Sequence, residues 1–197
     1  MARALPEKPA GLLYQPELLS CAEEADLLER ISELRFDPIV MHGQPARRTA
    51  RHFGLDYDYE KRTPIPGEPM PAWLGEARDR AATLAQIEPE DLVEILVQKY
   101  PPGSTIGWHR DAPAFDTVVG VSLGSACRLR FQRGKKDERR TWEVLLEPRS
   151  GYVLAGEART SWQHAIPAVE ALRYSITFRT TRQPVDRSPG SARATRL

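Results

Sequence analysis

Two side chains that bind metals well stand two positions apart near the middle of the chain, His109 and Asp111. On an extended segment, residues two apart project to the same side, so this imidazole and this carboxylate can share one ion. Among the other three histidines, only His164 lies in the later half of the chain, which is rich in strand-forming residues. Two histidines and one carboxylate leave coordination positions open, as in non-haem ferrous oxygenases. A structural zinc site suits these residues less, because it is closed by four protein ligands and favours sulfur.

A second pattern begins nine positions beyond His164, where Arg173, Ser175, Thr177 and Arg179 alternate along a β-branched segment. On a strand these four side chains share one face. Burying two guanidinium groups there costs free energy unless each meets an anion. A dicarboxylate bound to the metal supplies two carboxylates, which match planar guanidinium groups in bidentate geometry. The pattern therefore predicts a dicarboxylate site, with an edge strand bearing solvated arginines as the alternative.

The elements that must position these residues change in type along the chain. Two helices are predicted in the first half, over Ala22–Leu34 and Pro71–Gln86, where apolar residues recur at helical spacing. From Leu92 onward, short β-branched or aromatic segments are separated by Gly, Pro and charged turns. These predicted strands are Leu92–Lys99, Thr117–Leu123, Cys127–Gln132, Thr141–Leu146, Tyr152–Leu154 and Tyr174–Thr180. Helices followed by closely spaced strands predict an α+β fold, with helices laid on a β-sandwich or a jelly-roll barrel.

Length and composition indicate one globular domain. The 197 residues include 41% hydrophobic and 28% charged side chains, with a net charge of +1, which is enough for one substantial core. We expect the domain to span residues 1–182, with N-terminal helices and a lid over about 11–90 and the core over about 91–181. Residues 183–197 mix Pro, Ser, Gly and Arg and are expected to form a disordered tail. The lack of a long apolar run predicts a soluble, cytoplasmic protein with no membrane partner. The two cysteines lie far apart in the sequence and are expected to be reduced, and we expect a monomer.

Two groups of basic residues have the charge needed to follow the phosphates of a nucleic acid. Each group fits a solvated hairpin or loop equally well, because charge runs are common on protein surfaces. One group comprises Arg47, Arg48 and Arg51, and the other comprises Arg128, Arg130, Arg133, Lys135, Lys136, Arg139 and Arg140.

Several segments together resemble the AlkB family of ferrous, 2-oxoglutarate-dependent dioxygenases, over roughly Gly11 to Thr180. The segment Arg173–Arg179 resembles the family's RxNxTxR-type signature, and His109-Arg110-Asp111 resembles its first metal ligands. The other similar segments are Tyr100-Pro101-Pro102-Gly103, Val121-Ser122-Leu123-Gly124, Gly156-Glu157-Ala158-Arg159, Tyr57-Asp58-Tyr59 and Pro69-Met70-Pro71. The resemblance implies a double-stranded β-helix, or jelly-roll, core with N-terminal helices packed on it.

The resemblance also implies a role for each matching residue. His109, Asp111 and His164 would hold Fe(II). Arg179 would meet the carboxylate of 2-oxoglutarate that chelates the iron, and Arg173 would hold the distal carboxylate. The remaining co-substrate contacts would come from Tyr100, Ser175 and Gln98, the last standing where many members have an asparagine.

The activity implied by the resemblance is oxidative demethylation of alkylated DNA or RNA bases with O2, which releases succinate, CO2 and formaldehyde. The substrate residues would combine cations for phosphates with aromatic rings that stack on a flipped base. These are Arg47, Arg48, Arg51, Tyr57, Tyr59 and Trp73, and the alternative for the aromatic residues is packing between lid and barrel.

One position departs from the pattern of the repair enzymes. Members that repair methylated bases commonly carry an acidic residue two positions after the metal aspartate, whereas this chain has Pro113 there. The same chemistry on a protein side chain or a small metabolite is therefore an alternative, because a shared fold and cofactor do not fix the substrate. A non-enzymatic β-barrel binding module is a further alternative.

Overall fold

The computed structural model describes residues 7–41, 44–58, 63–135 and 138–182, so the predicted tail, 183–197, lies outside the described residues. Within them the chain forms two antiparallel sheets and a few helices. The helices are α1 (Cys21–Ser32), α2 (Gly75–Ala85) and α3 (Gly156–Thr160), with 3-10 turns at Ala72–Leu74 and Pro89–Asp91. The strands are β1 (Leu12–Gln15), β2 (Asp37–Met41), β3 (Gln44–Asp58), β4 (Thr63–Pro66), β5 (Glu94–Tyr100), β6 (Ile106–His109), β7 (Phe115–Leu123), β8 (Cys127–Arg133), β9 (Arg140–Leu146), β10 (Gly151–Leu154), β11 (Gln163–Ile166) and β12 (Arg173–Thr181).

The two longer helices form where apolar periodicity predicts them. Ser20 caps α1 by accepting a hydrogen bond from the Glu23 backbone N–H, while the Glu23 carboxylate accepts one from the Ser20 N–H, which is a capping box. The buried face of α1 carries Leu27 and Ile31. Residues at helical spacing also bury one face of α2, chiefly alanines. Both faces join one apolar cluster with the large sheet.

The larger sheet has the order β1-β10-β7-β12-β5-β3-β2, with β4 paired to β3, and the smaller sheet has the order β6-β11-β8-β9. One apolar cluster joins α1 and α2 to the larger sheet. A second cluster contains Tyr100 and Val118 from the larger sheet and Leu129 and Phe131 from the smaller sheet. Helices therefore cover one face of the larger sheet, and the smaller sheet lies against its other face, in keeping with a jelly-roll core.

The first half also contains strands that the sequence analysis did not predict, β1 to β4. The longest strand, β3, pairs with β5 in the larger sheet, with His52 opposite Leu96 and Ala50 opposite Gln98. The expected lid region is therefore partly an extension of the core sheet. Its longest strand escapes prediction because β3 carries three arginines and two aspartates and has little apolar alternation.

Among the described residues, no helix has the length and apolar character needed to span a membrane.

Gly120 provides a test of how the barrel interior is packed. It lies opposite Tyr152 in the pairing of β7 with β10, and a Cβ at this position would overlap the Tyr152 ring. We expect Gly120→Ala to lower the free energy of unfolding by about 1–3 kcal/mol, because overpacking forces neighbouring groups to move. Denaturant unfolding measures this change.

The matched control for this substitution is Gly75→Ala. Gly75 begins α2 and has open space where a Cβ would stand. Since alanine favours a helix over glycine by about 1 kcal/mol, this variant should be as stable as the wild type or more so. Equal stability of the Gly120→Ala variant and the wild type would contradict the packing assigned to Tyr152.

Candidate active site

The three predicted metal ligands come together at the open edge of the smaller sheet. His109 ends β6 and stands opposite His164 of β11, so both imidazoles project from the same face. Asp111 follows two residues after His109, and its Oδ2 lies 3.5 Å from His164 Nε2. One ligand atom from each of the three residues lies within 4.8 Å of the others. This arrangement is compatible with a ferrous ion held by two histidines and one carboxylate.

Hydrogen bonds orient the ligand atoms toward a common point. His109 Nδ1 lies 2.9 Å from the Gly107 carbonyl oxygen, which only accepts, so Nδ1 carries the proton and Nε2 keeps its lone pair. Asp111 Oδ1 accepts a hydrogen bond from Arg179. Among the described residues, the buried Asp111 Oδ2 has no hydrogen-bond partner, and neither does His164 Nδ1. A cation beside Asp111 Oδ2 would satisfy that buried acceptor.

The electrostatics of the site keep its ligands in their metal-binding forms. Burial alone would raise the pKa of Asp111, but the positive charge of Arg179 and the neighbouring His164 outweigh it and hold the pKa well below its usual range. Burial lowers the pKa of His164 to about 4, against an attraction to Asp111 that acts in the opposite direction. At neutral pH the site therefore presents a carboxylate and a neutral imidazole, which are the forms that bind metal.

A buried carboxylate that the sequence analysis missed, Glu94, completes the charges around Arg179. Glu94 is 2% exposed and accepts hydrogen bonds of 2.8 and 2.6 Å from Arg179 Nη1. Arg179 Nη2 donates to Asp111 Oδ1 at 3.1 Å, and His52 Nδ1 lies 3.6 Å from Glu94. The guanidinium group is thus held between two carboxylates, one of which is a metal ligand. Glu94 begins a strand that is otherwise largely apolar, and this was the signal available in the sequence.

At the other end of β12, Arg173 lies deep in the barrel with few polar partners. It is 1% exposed, donates a hydrogen bond to Ser122 Oγ at 3.2 Å and lies 4.8 Å from the centre of the Tyr100 ring. Among the described residues, its Nε and Nη1 have no hydrogen-bond partner. Such a cation is costly unless it meets an anion, so its surroundings fit a bound carboxylate.

Strand register places the remaining predicted co-substrate residues on the same face as the two arginines. Across β5 and β12, Tyr100 pairs with Arg173, Gln98 with Ser175 and Glu94 with Arg179. The Ser175 hydroxyl donates to the Tyr100 hydroxyl at 3.4 Å. All three pairs project into the space between the sheets, because residues two apart on a strand share a face.

Arg159 has a role that the sequence analysis did not assign. It is 3% exposed, and its Nη2 donates to the carbonyl oxygens of Ala112 at 2.6 Å and Phe115 at 2.9 Å. These carbonyls belong to the loop that directly follows Asp111. The buried guanidinium therefore fixes the loop that carries the metal-binding carboxylate.

A cavity of about 1010 Å³ opens beside the metal ligands. Its described lining includes apolar residues from both sheets together with two carboxylates, Glu94 and Asp111. The arginines that line it outnumber these carboxylates, and they are Arg48, Arg110, Arg159, Arg179 and Arg182. The cavity is therefore rich in positive charge, which suits an anionic ligand.

The predicted substrate residues are dispersed rather than gathered. Arg48 lines the cavity and donates to Gln98 Oε1 at 2.6 Å. Arg47 is exposed and stands outside the described cavity lining. Arg51 forms ion pairs with Asp37 at 3.4 Å and Glu68 at 2.5 Å.

None of the predicted aromatic substrate residues is placed in the described cavity lining. Trp73 packs against the cluster between the helices and the larger sheet, which is the packing alternative rather than a position in the cavity. Tyr59 and the side chain of Tyr57 lie outside the described residues. Of the predicted substrate residues whose side chains the structure describes, only Arg48 lines the cavity, where Arg110, Arg182 and His52 also lie.

Comparisons with known proteins place this site in a family. The sequence model described as the 2OG-Fe(II) oxygenase superfamily matches residues 11–179. The mouse tRNA (carboxymethyluridine(34)-5-O)-methyltransferase ALKBH8 is 32% identical over 171 residues, which cover 80% of this chain and 24% of that protein. The zebrafish probable RNA/DNA demethylase ALKBH6 is 26% identical over 83% of this chain and 72% of its own length. An Arabidopsis alkylated DNA repair protein ALKBH8 homologue is 25% identical over 88% of this chain and 56% of its own length.

Solved structures show the same fold at low identity. The structure of OsALKBH1 has a TM-score of 0.67 at 16% identity, covering 88% of this chain and 98% of that one. A 2OG-Fe(II) oxygenase family oxidoreductase from Burkholderia pseudomallei has a TM-score of 0.61 at 17% identity, covering 88% of this chain and 86% of that one.

A fold with two antiparallel sheets and an open site of two histidines and one carboxylate defines a mononuclear iron oxygenase. The chain belongs to the 2OG-Fe(II) oxygenase superfamily, and its relatives named above are AlkB homologues. It is an Fe(II)- and 2-oxoglutarate-dependent dioxygenase that uses O2. The alternative of a non-enzymatic binding module is therefore wrong. The chain spans about a quarter of the mouse relative and about half of the Arabidopsis one.

The pKa of His164 predicts how the stability of the metal-free protein depends on pH. The folded protein keeps His164 neutral to about pH 4, whereas a histidine in the unfolded chain titrates near about 6.5. Between these values the unfolded chain binds the extra proton, so stability falls as the pH is lowered. From this residue we expect a loss on the order of 3 kcal/mol between pH 7 and pH 4.

The measurement is denaturant unfolding of metal-free wild type and His164→Gln across this range of pH. As the pH falls, the free energy of unfolding of the wild type should decrease relative to that of His164→Gln, because glutamine does not titrate. A difference that stays constant from pH 7 to pH 4 would contradict the assigned burial of a neutral His164.

Proposed function

We propose that this dioxygenase oxidises N-alkyl groups on nucleic-acid bases, releasing succinate, CO2 and formaldehyde as it demethylates DNA or RNA. The observation that carries the proposal is the charge of the cavity beside the metal ligands. Five arginines face two carboxylates in its described lining, a surplus of three positive charges. The charges of a ferrous ion and a 2-oxoglutarate dianion cancel each other. The surplus of positive charge from the arginines therefore remains available to the substrate.

The charge surplus favours a phosphate-bearing substrate over a cationic one. Counter-charge from Arg and Lys supplies much of the affinity of proteins for nucleic acids, whereas a methylated lysine side chain is itself positive and would be repelled. The relatives point in the same direction, since they include a tRNA (carboxymethyluridine(34)-5-O)-methyltransferase and a probable RNA/DNA demethylase. An anionic metabolite is the alternative that the charge leaves open.

The residues predicted to bind iron and co-substrate each have a place in the proposed enzyme. His109, Asp111 and His164 hold the iron. Arg179 fixes Asp111 from one side and, we propose, serves the carboxylate of 2-oxoglutarate nearest the metal from the other. When bound, iron and 2-oxoglutarate together supply the activation of O2 that oxidises the substrate.

In our proposal, residues buried between the sheets orient the co-substrate, and three of them, Arg173, Tyr100 and Ser175, lie beyond the described cavity lining. Arg173 offers its Nε and Nη1, which have no partner among the described residues, to the distal carboxylate. The hydroxyl groups of Tyr100 and Ser175 lie beside it. Gln98 uses its carbonyl oxygen to accept from Arg48, so its amide N–H groups are directed to the remaining co-substrate oxygens.

The whole of residues 1–182 serves this one site in our proposal. The two sheets form a double-stranded β-helix that holds the predicted iron ligands beside the cavity. Of the basic groups noted in the sequence, we propose that Arg48 at the cavity takes part in substrate binding, together with Arg110 and Arg182.

The role of Arg173 is tested by Arg173→Gln, with Arg173→Lys as a variant that keeps the charge. Loss of a charge-assisted contact should raise the KM for 2-oxoglutarate by about tenfold or more, since such hydrogen bonds contribute about 1.5–3 kcal/mol. The lysine variant should lie between, because an ammonium group lacks the planar fork. Succinate formation as a function of 2-oxoglutarate concentration measures the effect.

Arg149→Gln is the control, because Arg149 is partly exposed and has carboxylate partners of its own, Glu17 and Glu24, whereas Arg173 is buried without one among the described residues. It should keep the wild-type KM. If Arg173→Gln lowers kcat at an unchanged KM, Arg173 does not hold the co-substrate.

The proposed reaction is tested with purified protein, ferrous iron, ascorbate, 2-oxoglutarate and single-stranded oligonucleotides carrying one methylated base. Methylated oligonucleotides should stimulate release of succinate and formaldehyde, while unmethylated ones of the same sequence should not. His109→Ala should abolish the reaction, because the site loses a metal ligand. Succinate release that depends on iron but not on any methylated nucleic acid would refute the proposed substrate and favour a protein or metabolite.

A further inference from the structure

The outer face of the smaller sheet carries an exposed tryptophan directly behind the metal site. Because His109 projects into the barrel, its neighbour on β6, Trp108, projects to the opposite face. Trp108 is 38% exposed, and the guanidinium of Arg130 lies 5.8 Å from the centre of its ring. Arg130 stands opposite Ala165 in the pairing of β8 with β11. Because the alanine side chain is small, it leaves open space between Trp108 and Arg130. We call Trp108 and Arg130 the outer shelf.

A groove of about 220 Å³ runs along the outer shelf. Ile106 and Pro167 line it together with Trp108 and Arg130. Ile106 also lines the active-site cavity, so this one side chain contacts both spaces. Gly107 also lies in the lining of the groove. The groove and the active site are therefore neighbours on one strand.

We propose that the outer shelf binds an unpaired base of the same nucleic-acid strand whose alkylated base enters the active site. This inference rests on the proposed function. An exposed indole offers a flat face to any base, and a neighbouring arginine adds a cation for the phosphate and for the ring. Such a contact does not depend on the base sequence, and it extends the segment of the nucleic acid that the enzyme contacts.

The route from the cavity to the outer shelf is positively charged. Arg110, which is exposed, lines the active-site cavity and lies two positions beyond Trp108 in the chain. A strand leaving the cavity past Arg110 meets the outer shelf next. The choice of a nucleic acid over a peptide follows from this run of arginine, tryptophan and arginine, which matches a chain of phosphates and bases.

Exposure of Trp108 distinguishes it from the other aromatic residues. Among the described residues, it is the one aromatic in the set of exposed large apolar side chains, and the others in that set are aliphatic. Trp142 and Trp162, by contrast, pack within the cluster between the sheets. An aromatic ring left at the surface beside an arginine is a feature of binding surfaces rather than of cores.

Binding to single-stranded oligonucleotides tests the outer shelf without turnover. The protein is loaded with Mn(II) and 2-oxoglutarate under anaerobic conditions, and Kd is measured for a methylated nucleoside and for methylated oligonucleotides of increasing length. Trp108→Ala and Arg130→Gln should each weaken binding of the longer oligonucleotides by about tenfold, the range expected for loss of one base-stacking contact. Both variants should bind the nucleoside as the wild type does, because it cannot reach the shelf.

Arg128→Gln is the matched control. Arg128 lies on the same strand and the same face as Arg130, and both form ion pairs with Glu143, at 2.7 and 3.8 Å. The Arg128 variant removes the same charge away from Trp108, so its Kd should stay within about twofold of the wild type, as for an exposed ion pair. Trp108→Phe, which keeps a stacking ring, should retain most of the affinity and shows whether Trp108→Ala acts through the ring or through misfolding.

Two results would overturn the outer shelf. Equal Kd values for the wild type, Trp108→Ala and Arg130→Gln at every length would show that no base binds there. If Arg128→Gln and Arg130→Gln weaken oligonucleotide binding equally, the effect comes from the overall positive charge of the surface and not from the outer shelf. In both cases, demethylation of an oligonucleotide by the wild type would leave the proposed function standing, whereas wild type that neither binds nor demethylates nucleic acid would refute both.

Discussion

The barrel must compensate the charge of two guanidinium groups on one strand, the buried Arg173 and the largely buried Arg179. Arg173 and Arg179 project from the same face of β12 into the space between the sheets, where an uncompensated charge is costly. The protein compensates Arg179 itself, with Glu94 and the metal ligand Asp111. It gives Arg173 a serine hydroxyl and a tyrosine ring, which leave most of its positive charge for a ligand. The two ends of one strand thus differ, since Arg179 is paired with two carboxylates and Arg173 has no carboxylate partner among the described residues.

This arrangement also positions the predicted metal ligands. Asp111 is held at Oδ1 by Arg179, and the loop that follows it is held by Arg159 through two backbone carbonyls. His109 and His164 stand opposite each other on paired strands, so the rings need no further adjustment. Pre-organised ligands reduce the entropy that metal binding must otherwise overcome. Because Glu94 anchors Arg179, a carboxylate that never touches the metal contributes to the geometry of the metal site.

The sequence predicted the parts of the site that depend on short spacings and missed the parts that depend on pairing between distant strands. Residues an even number of positions apart on a strand share a face whatever the fold, so Arg173 and Arg179 could be placed together from spacing alone. His109 and Asp111 also lie together as their spacing predicts, although Asp111 follows the end of β6. Glu94 and Arg159 act through partners 85 and 44 to 47 positions away, and no local pattern reveals such contacts. The strands of the N-terminal half were missed for a related reason. β3 has a polar sequence and is held in place by its pairing with β5.

The arginines around the cavity divide by depth, and this division suggests how one positively charged site performs two tasks. Arg159 and Arg179 are held by carbonyls and carboxylates, so their charge is committed to fixing the loop and the metal ligand. Arg110 and Arg182 are exposed at the mouth. Charges at a mouth act on an approaching anion from a distance and are weakened by salt, whereas buried ones are screened much less. The outer cations can therefore attract and align a polyanion while the inner ones keep the oxidising centre rigid, so that substrate capture does not disturb the geometry on which the chemistry depends.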